Sequence, residues 1–318
     1  FQAEDGIRDA RSSLVGSEMC IRDRCRQYRG MVCAYSGCES TVVVLLSLSA
    51  DMIPHMQAYI DIGVNLTGSS FRDDVEEVVQ RAVDAGVAQM IVTGTDLVHS
   101  RAALELGHRF QDRLTSTAGV HPHHASEFDE NTLPVLRELC SEKSVVAVGE
   151  CGLDYNRNYS KPAEQRRAFE AQLQLACELG LPVFLHQRDA HDDFVRMIAE
   201  YRDELEGAVA HCFTGSVDEA LEYVDMGMYI GITGWICDER RGGDLQRAVK
   251  DIPIDKIMLE TDAPYLLPRD LGQQPVQKRR NEPCYLPHIC TVTAGYMGVD
   301  RQQLAEAALE NTRRIFAV

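Results

Sequence analysis

Four short apolar runs in this chain each stop at a potential metal ligand. They span 145–150, 182–186, 208–211 and 257–262, and they end at Glu150, His186, His211 and Asp262. Each run is apolar without alternation, the pattern of a strand covered on both faces in a parallel sheet. Between the runs, apolar residues fall at helical spacing, as with Val75, Val78, Val79, Ala82 and Val83, which line one face of a helix.

The two patterns alternate from residue 58 onward. Strands are predicted over 58–66, 87–93 and 114–120, at the four runs above, and over 228–233. Helices are predicted over 73–85, 97–110, 133–140, 163–179, from beyond His186 to about 205, and over 217–226 and 245–249. Two more close the chain at 286–296 and 301–316. Gly86 and Gly180 stand where helices should stop. The ligands at the ends of the runs lie 36, 25 and 51 positions apart, which is one, one and two strand–helix repeats of roughly 30 residues. Eight units in the stretch 58–318 fit an α/β fold of the (β/α)8 TIM-barrel type, which takes about 250 residues. A doubly wound sheet would carry a glycine-rich phosphate turn after its first strand. Here that strand ends Asp61-Ile62-Gly63-Val64-Asn65, without GxGxxG.

Residues 1–57 break the pattern. The first 24 have neither a helical nor a strand period and resemble translated adapter read-through. The whole of 1–57 is expected to be an artefactual or disordered extension, with Met52 or Met56 as a natural start. Cys20, Cys25, Cys33 and Cys38 fit no common zinc spacing. The expected organisation is therefore this extension followed by one barrel domain over 58–318.

Composition narrows the function classes. A hydrophobic fraction of 45% and a charged fraction of 25% describe an ordinary globular chain. The net charge of −17 opposes broad, charge-driven binding to duplex nucleic acid, although a bound divalent cation reverses the sign locally. Eleven scattered cysteines without a CxxC pair point to a reducing, cytoplasmic setting rather than to a disulfide framework. No apolar run reaches membrane-spanning length, so no membrane partner is expected, and a monomer is compatible with everything in the sequence.

The strand ends carry the chemistry. In a parallel barrel, active sites lie at the C-terminal rim of the strands, where Glu150, His186, His211 and Asp262 should converge. Glu, His and Asp suit Mg²⁺, Mn²⁺ or Zn²⁺, and Asp262 can bind metal or take a proton. Any one of them alone would more often be an ordinary rim residue; four at the same ends make the metal reading the stronger one. His121 and His123 end the third strand and can bind metal, contact phosphate or supply acid, while His124 reads as solvated. Glu260 shares a strand face with Asp262, so one of the two carboxylates needs metal, a proton or an arginine beside it. Arg157, Arg188 and the run Arg279-Arg280-Asn281 follow strands on the same rim and can hold a phosphate backbone. Arg240 and Arg241 read as a solvated loop.

Several segments carry a family likeness. Asp61 to Leu66, Ala118-Gly119-Val120-His121-Pro122-His123, Gly149-Glu150-Cys151-Gly152-Leu153-Asp154, His211-Cys212-Phe213-Thr214-Gly215 and Glu260-Thr261-Asp262-Ala263-Pro264-Tyr265 together resemble the TatD family of metal-dependent deoxyribonucleases. Tyr229 to Trp235 and Arg280-Asn281-Glu282-Pro283 fit its bacterial branch. The resemblance runs from about residue 58 to the end. It implies a TIM-barrel hydrolase that cuts DNA phosphodiesters with Mg²⁺, acting 3′→5′ on single strands in the cytoplasm, in DNA repair or fragmentation. It also implies that Glu150, His186, His211 and Asp262 hold metal, and that His121 and Glu260 act at the cleavage site beside Asp262. Most of the family ends strand one in Asp-x-His-x-His; Gly63 and Asn65 replace those imidazoles here, as in the bacterial branch, so one firmly held ion is expected and any second would be weak or arrive with DNA. Two other readings use the same residues. One is a metal-dependent amidohydrolase or esterase, such as an aminoacyl-tRNA deacylase, and the other is a non-catalytic quality-control binding protein.

Overall fold

A computed structural model describes residues 58–272, 275, 277 and 279–318. The expected extension 1–57 lies outside the described residues. The element order is β1 (Tyr59–Val64), α1 (Val75–Asp84), β2 (Val87–Val92), α2 (Leu97–Arg109), β3 (Leu114–Ala118), α3 (Thr132–Cys140), β4 (Val145–Asp154), α4 (Pro162–Leu179), β5 (Val183–Arg188) and α5 (His191–Tyr201). It continues with β6 (Ala208–Ala210), α6 (Val217–Asp225), β7 (Tyr229–Ile232), α7 (Gly243–Ala248), β8 (Ile257–Leu259), α8 (Leu286–Met297) and α9 (Arg301–Phe316). The eight strands stand in sequence order, every pair of neighbours parallel. This is the (β/α)8 barrel that the alternation of periods predicts.

Two apolar layers hold it. The larger packs the helices on the outside of the strands, with Phe71, Phe169, Phe194, Leu173 and Tyr223 among its fully buried members. The smaller fills the barrel interior with Ile62, Ile91, Val146, Ala147, Phe184, Val209, Tyr229 and Met258. Phe316, at the end of α9, joins this inner group, its ring 6.4 Å from that of Phe184. The same helix is tied to β8 by Asn311, whose Nδ2 donates to the carbonyls of Ile254 and Ile257 at 3.0 and 2.8 Å. Local signals set the helix ends as the sequence suggests. Gly180 is left-handed after α4, and Ser216 with Glu219 forms a capping box on α6.

The seam between β8 and β1 closes just beyond the end of β8. Asp262 N donates to Gly63 O at 2.9 Å and Asn65 N to Ala263 O at 2.8 Å, with a parallel bridge between Val64 and Ala263. Asp61 clamps this seam from inside. Its Oδ1 accepts from Thr261 N (2.9 Å) and Gly63 N (3.2 Å), and its Oδ2 accepts from the Thr261 hydroxyl at 2.5 Å.

Three boundaries differ from the sequence reading. β4 does not end at Glu150 but runs on to Asp154, with a register shift against β5 between Gly149 and Cys151. Glu150 is thus the extra residue of a bulge, a device that re-aims a side chain. β8 stops at Leu259, which leaves Glu260 to Asp262 as the closing seam. The polar stretch after β3 is a 3-10 turn over Pro122–Glu127 capped by His121. No helix among the described residues is long and apolar enough to cross a membrane.

The clamp yields a stability prediction. Asp61→Ala leaves three buried donors without an acceptor, and each such loss costs about 1–3 kcal/mol. Urea unfolding should show Asp61→Ala destabilised by about 2–4 kcal/mol, with Asp61→Asn, which keeps one acceptor oxygen, losing less.

Candidate metal centre and active site

Glu150, aimed inward by its bulge, organises the barrel mouth. Its Oε1 lies 2.9 Å from His211 Nε2, 3.0 Å from His186 Nδ1 and 3.3 Å from His121 Nε2. Three strands therefore bring imidazoles to one carboxylate oxygen of a fourth. Burial works against the ionised Glu150 carboxyl, but the imidazoles facing it hold it well below the usual carboxylate range.

The three imidazoles are held differently. His211 is almost fully buried and bridges two carboxylates, with Nε2 on Glu150 and Nδ1 at 3.0 Å from Glu260 Oε2. Burial alone would lower its pKa; Glu260 and Glu150 together raise it well above the ordinary value. His186 sits at the rim end of β5 with Nδ1 on Glu150. Its Nε2 is buried and makes no hydrogen bond among the described residues, although Asp154 Oδ2 stands 3.5 Å away. The Nδ1 of His121 accepts from His123 N at 3.1 Å. Burial, helped by His186 and His123 against the pull of Glu150, lowers its pKa to about 4. A neutral ring with Nδ1 occupied as acceptor carries its proton on Nε2, so His121 as placed offers an N–H toward Glu150 rather than a lone pair.

Glu260 lies behind this group. It is fully buried, and besides His211 it accepts from the backbone N of Cys212. Space for it is cleared by two glycines. A Cβ on Gly231 would come within 2.5 Å of Glu260 Oε1, and one on Gly63 would collide with Oε2. Position 63 therefore has no room for an imidazole while Glu260 fills it. The carboxylate–imidazole arrangement of Glu260 and His211 orients a ligating histidine and fixes its tautomer, so Glu260 sits where it positions His211 rather than where it could touch a substrate.

Asp262 stands at the closing seam, half-buried, with Oδ1 accepting from Asn65 Nδ2 at 2.9 Å and Oδ2 4.0 Å from Cys212 Sγ. Burial pushes its carboxyl up to about 7, against the pull of His211 and with the repulsion of Glu150 and Glu260. Mutual ligand distances within 4.8 Å hold for His121, Glu150 and His186. His211 shares the same Glu150 oxygen, while Asp262 is outside that tight group. The donor set fits a divalent cation on two observations: the buried Nε2 of His186 lacks a hydrogen bond, and His211 has the carboxylate support typical of a metal-ligating imidazole.

The remaining expected residues divide. His123 lies on the same rim, its Nε2 2.8 Å from Asp154 Oδ2. Arg157 is exposed beside the mouth, its backbone N donating to Asp154 Oδ1 at 2.8 Å. Arg280 and Asn281 are not placed to hold phosphate. The guanidinium of Arg280 donates to both oxygens of Asp74 at 2.8 and 2.6 Å, to Ser70 O at 2.6 Å and to Glu282 at 2.7 Å, and it stacks over Phe71. Asn281 is fully buried, donating to Thr261 O and accepting from Glu282 N. Both fix the loop that returns from the seam; their position after the last strand says nothing about which way they face.

Two features escape the sequence reading. Asp154 is almost fully buried and holds His123 while also accepting from Asn156 N. Burial would raise it, but the hydrogen bond from His123 and the nearby ring of His186 keep it ionised far below the carboxylate range. Ending the fourth strand at Glu150 hides it; extending the apolar run through Leu153 would have exposed it. The second feature is aromatic. Tyr159 and Tyr265 are 68% and 62% exposed, high for such large rings. The Tyr159 ring stands edge-on to His123 at 4.8 Å, and Tyr265 closes the turn that begins at Asp262.

Comparison with known proteins agrees with this construction. The family model described as TatD related DNase matches residues 60–317. The chain is 52% identical over 256 residues to the 3′-5′ ssDNA/RNA exonuclease TatD of Dickeya dadantii, covering 80% of this chain and 97% of that protein. It is 52% identical over 258 residues to the protein of the same name from Salmonella typhimurium, covering 81% and 98%. Among solved structures, the TatD homologue YJJV of Escherichia coli superposes with a TM-score of 0.75 at 29% identity, over 83% of this chain and 99% of that one. Bulged carboxylate, converging imidazoles and sequence match together place this chain in the TatD-related DNase family.

Proposed function

We propose that this protein is a metal-dependent exonuclease that removes nucleotides in the 3′→5′ direction from single-stranded DNA. RNA is a second substrate, as the names of its relatives suggest. The observation that carries the reading is the meeting of three imidazoles at one oxygen of Glu150. Glu150, His186 and His211 would hold one ion, with Asp262 completing the set from the seam. A bound divalent cation would supply Lewis-acid stabilisation of charge developing on a phosphoryl oxygen. Mg²⁺ is the expected ion, and a donor set with two imidazoles suits Mn²⁺ or Zn²⁺ as well.

The chain's own groups then have separate tasks. Asp262, one oxygen of which is held by Asn65, would offer its other oxygen to take up a proton at the mouth. His121, whose Nε2–H faces Glu150, would donate that proton's hydrogen bond to a phosphoryl or leaving oxygen once an ion takes up the Glu150 oxygen. Glu260 holds His211 in its ligating tautomer, and Asp154 holds His123 on the rim. Tyr159 and Tyr265 offer π-faces on which unpaired bases stack, a mode open to single strands only. Arg157 supplies a charge for the backbone. A cytoplasmic setting is supported by the free state of all seven described cysteines, and a role in DNA repair or fragmentation follows from the family likeness.

Degradation of 3′-labelled and 5′-labelled single strands, with Mg²⁺ and with EDTA, tests the reading directly. Loss of the 3′ label first, abolished by EDTA, is expected; release from the 5′ end would reject the polarity, and activity in EDTA would reject the metal. Glu260→Gln should weaken metal affinity by about 10–100-fold, with much of the activity restored at saturating Mn²⁺. A direct role in the chemistry would leave no such rescue. Tyr159→Ala and Tyr265→Ala should each raise KM for single strands by about tenfold, since a stacked base is worth about 1–3 kcal/mol, while kcat changes little.

A further inference from the structure

A second group of ligand-type side chains lies apart from Glu150 and its imidazoles. Cys237 ends the 3-10 turn Gly234–Cys237 that follows β7, Asp270 lies in the long excursion after β8, and His288 is in the first turn of α8. Their ligand atoms all lie within 4.8 Å of one another, with His288 Nε2 2.7 Å from Asp270 Oδ1. Cys237 is 3% exposed, whereas Asp270 is exposed and His288 partly so. The group therefore has a buried floor and an open side through which an ion can enter.

The scaffold beneath it is already fixed. Asp238, next to Cys237, is buried and pairs with Arg269, next to Asp270, at 3.0 Å. It also pairs with Arg241 at 2.8 Å. One residue away from the candidate ligands, an ion pair thus ties the loop after β7 to the excursion after β8. Backbone registration of this kind is what a metal site needs before the ion arrives.

We propose that Cys237, Asp270 and His288 form a Zn²⁺ site that staples the excursion after β8 to the loop after β7 and to the head of α8. One thiolate, one imidazole and one carboxylate make a borderline-to-soft donor set that suits Zn²⁺, with a fourth position left for water. Mg²⁺ and Ca²⁺ prefer oxygen donors and are disfavoured by the sulfur. On binding, the Cys237 thiol gives its proton to solvent, and His288 moves its ring proton from Nε2 to Nδ1, which frees Asp270 Oδ1 for the ion. The stapled excursion carries Tyr265, so the ion would steady one wall of the mouth. The site itself does not depend on the nuclease reading.

Co²⁺ in place of Zn²⁺ gives a direct readout, because a cobalt–thiolate bond adds a near-ultraviolet charge-transfer band that oxygen and imidazole ligands do not produce. The full chain titrated with Co²⁺ should show this band. It should persist in Glu150→Gln and in Cys212→Ser, and be lost in Cys237→Ser. In the Glu150→Gln background, which weakens the site at the mouth, Zn²⁺ should still raise the Tm, and adding Cys237→Ser to that background should remove the rise. Far-UV circular dichroism checks that the variants fold. Should Cys237→Ser fail to fold, His288→Gln, at a partly exposed position, decides in its place by a loss of the band. A band missing from the unmodified chain, or undiminished in both Cys237→Ser and His288→Gln, would overturn the site and mark the group as a hydrogen-bonded triad only.

Discussion

The constraint on which the mouth of this barrel depends is the cost of burying carboxylates. Glu150, Asp154 and Glu260 are buried and Asp262 is partly so. An unpaired ion in such a place costs several kcal/mol. Each carboxylate is compensated differently. Asp154 has backbone donors from Asn156 and Arg157 as well as His123. Glu260 has a backbone donor from Cys212 and the ring of His211, and Asp262 has Asn65. Glu150 alone faces only imidazoles through its Oε1, and the N–H protons they present to it are exchangeable. A divalent cation can replace those protons without leaving any carboxylate bare. The same reasoning favours Glu150 as the place of the proposed ion over the more deeply buried Glu260, whose partners are fixed.

Closure of the barrel and construction of the site are one event. Asp61 is satisfied by Thr261 and Gly63, and this clamp lies between Glu260, which points behind His211, and Asp262, which stands at the mouth. A shift of the seam by one residue would turn both carboxylates to the opposite face. Gly63 and Gly231 add a steric condition, since either one with a side chain would displace Glu260. The absence of an imidazole at position 63 is thus linked to a filled space and not simply to a lost ligand.

The repeating alternation of apolar runs and amphipathic helices made the barrel legible in the sequence, because a fully covered parallel strand has a composition unlike anything else in the chain. Glu150, His186 and His211 were legible for the same reason: each follows an apolar run, and strand ends share one rim. Direction along a loop was not legible. Arg280 and Asn281 follow the last strand as Glu260 does, yet Arg280 turns back to Asp74 and Asn281 to Thr261. Asp154 was hidden by the bulge at Glu150, which interrupts the regular period by which its face would be read. The exposed rings of Tyr159 and Tyr265 have no periodic signature at all, since exposure of a loop residue is decided by tertiary packing.

The overall charge also constrains how a nucleic acid could be held. At −17, the protein as a whole repels a polyanion, and at physiological salt that field decays within about 8 Å. Affinity must therefore come from contacts made close to the mouth and insensitive to the distant field. A cation at Glu150 and stacking on exposed rings both meet that condition, whereas a broad basic track would need an excess of positive charge that the chain lacks. Short contacts of this kind are the ones the proposed single-strand substrate would use, since its unpaired bases leave their faces free to stack.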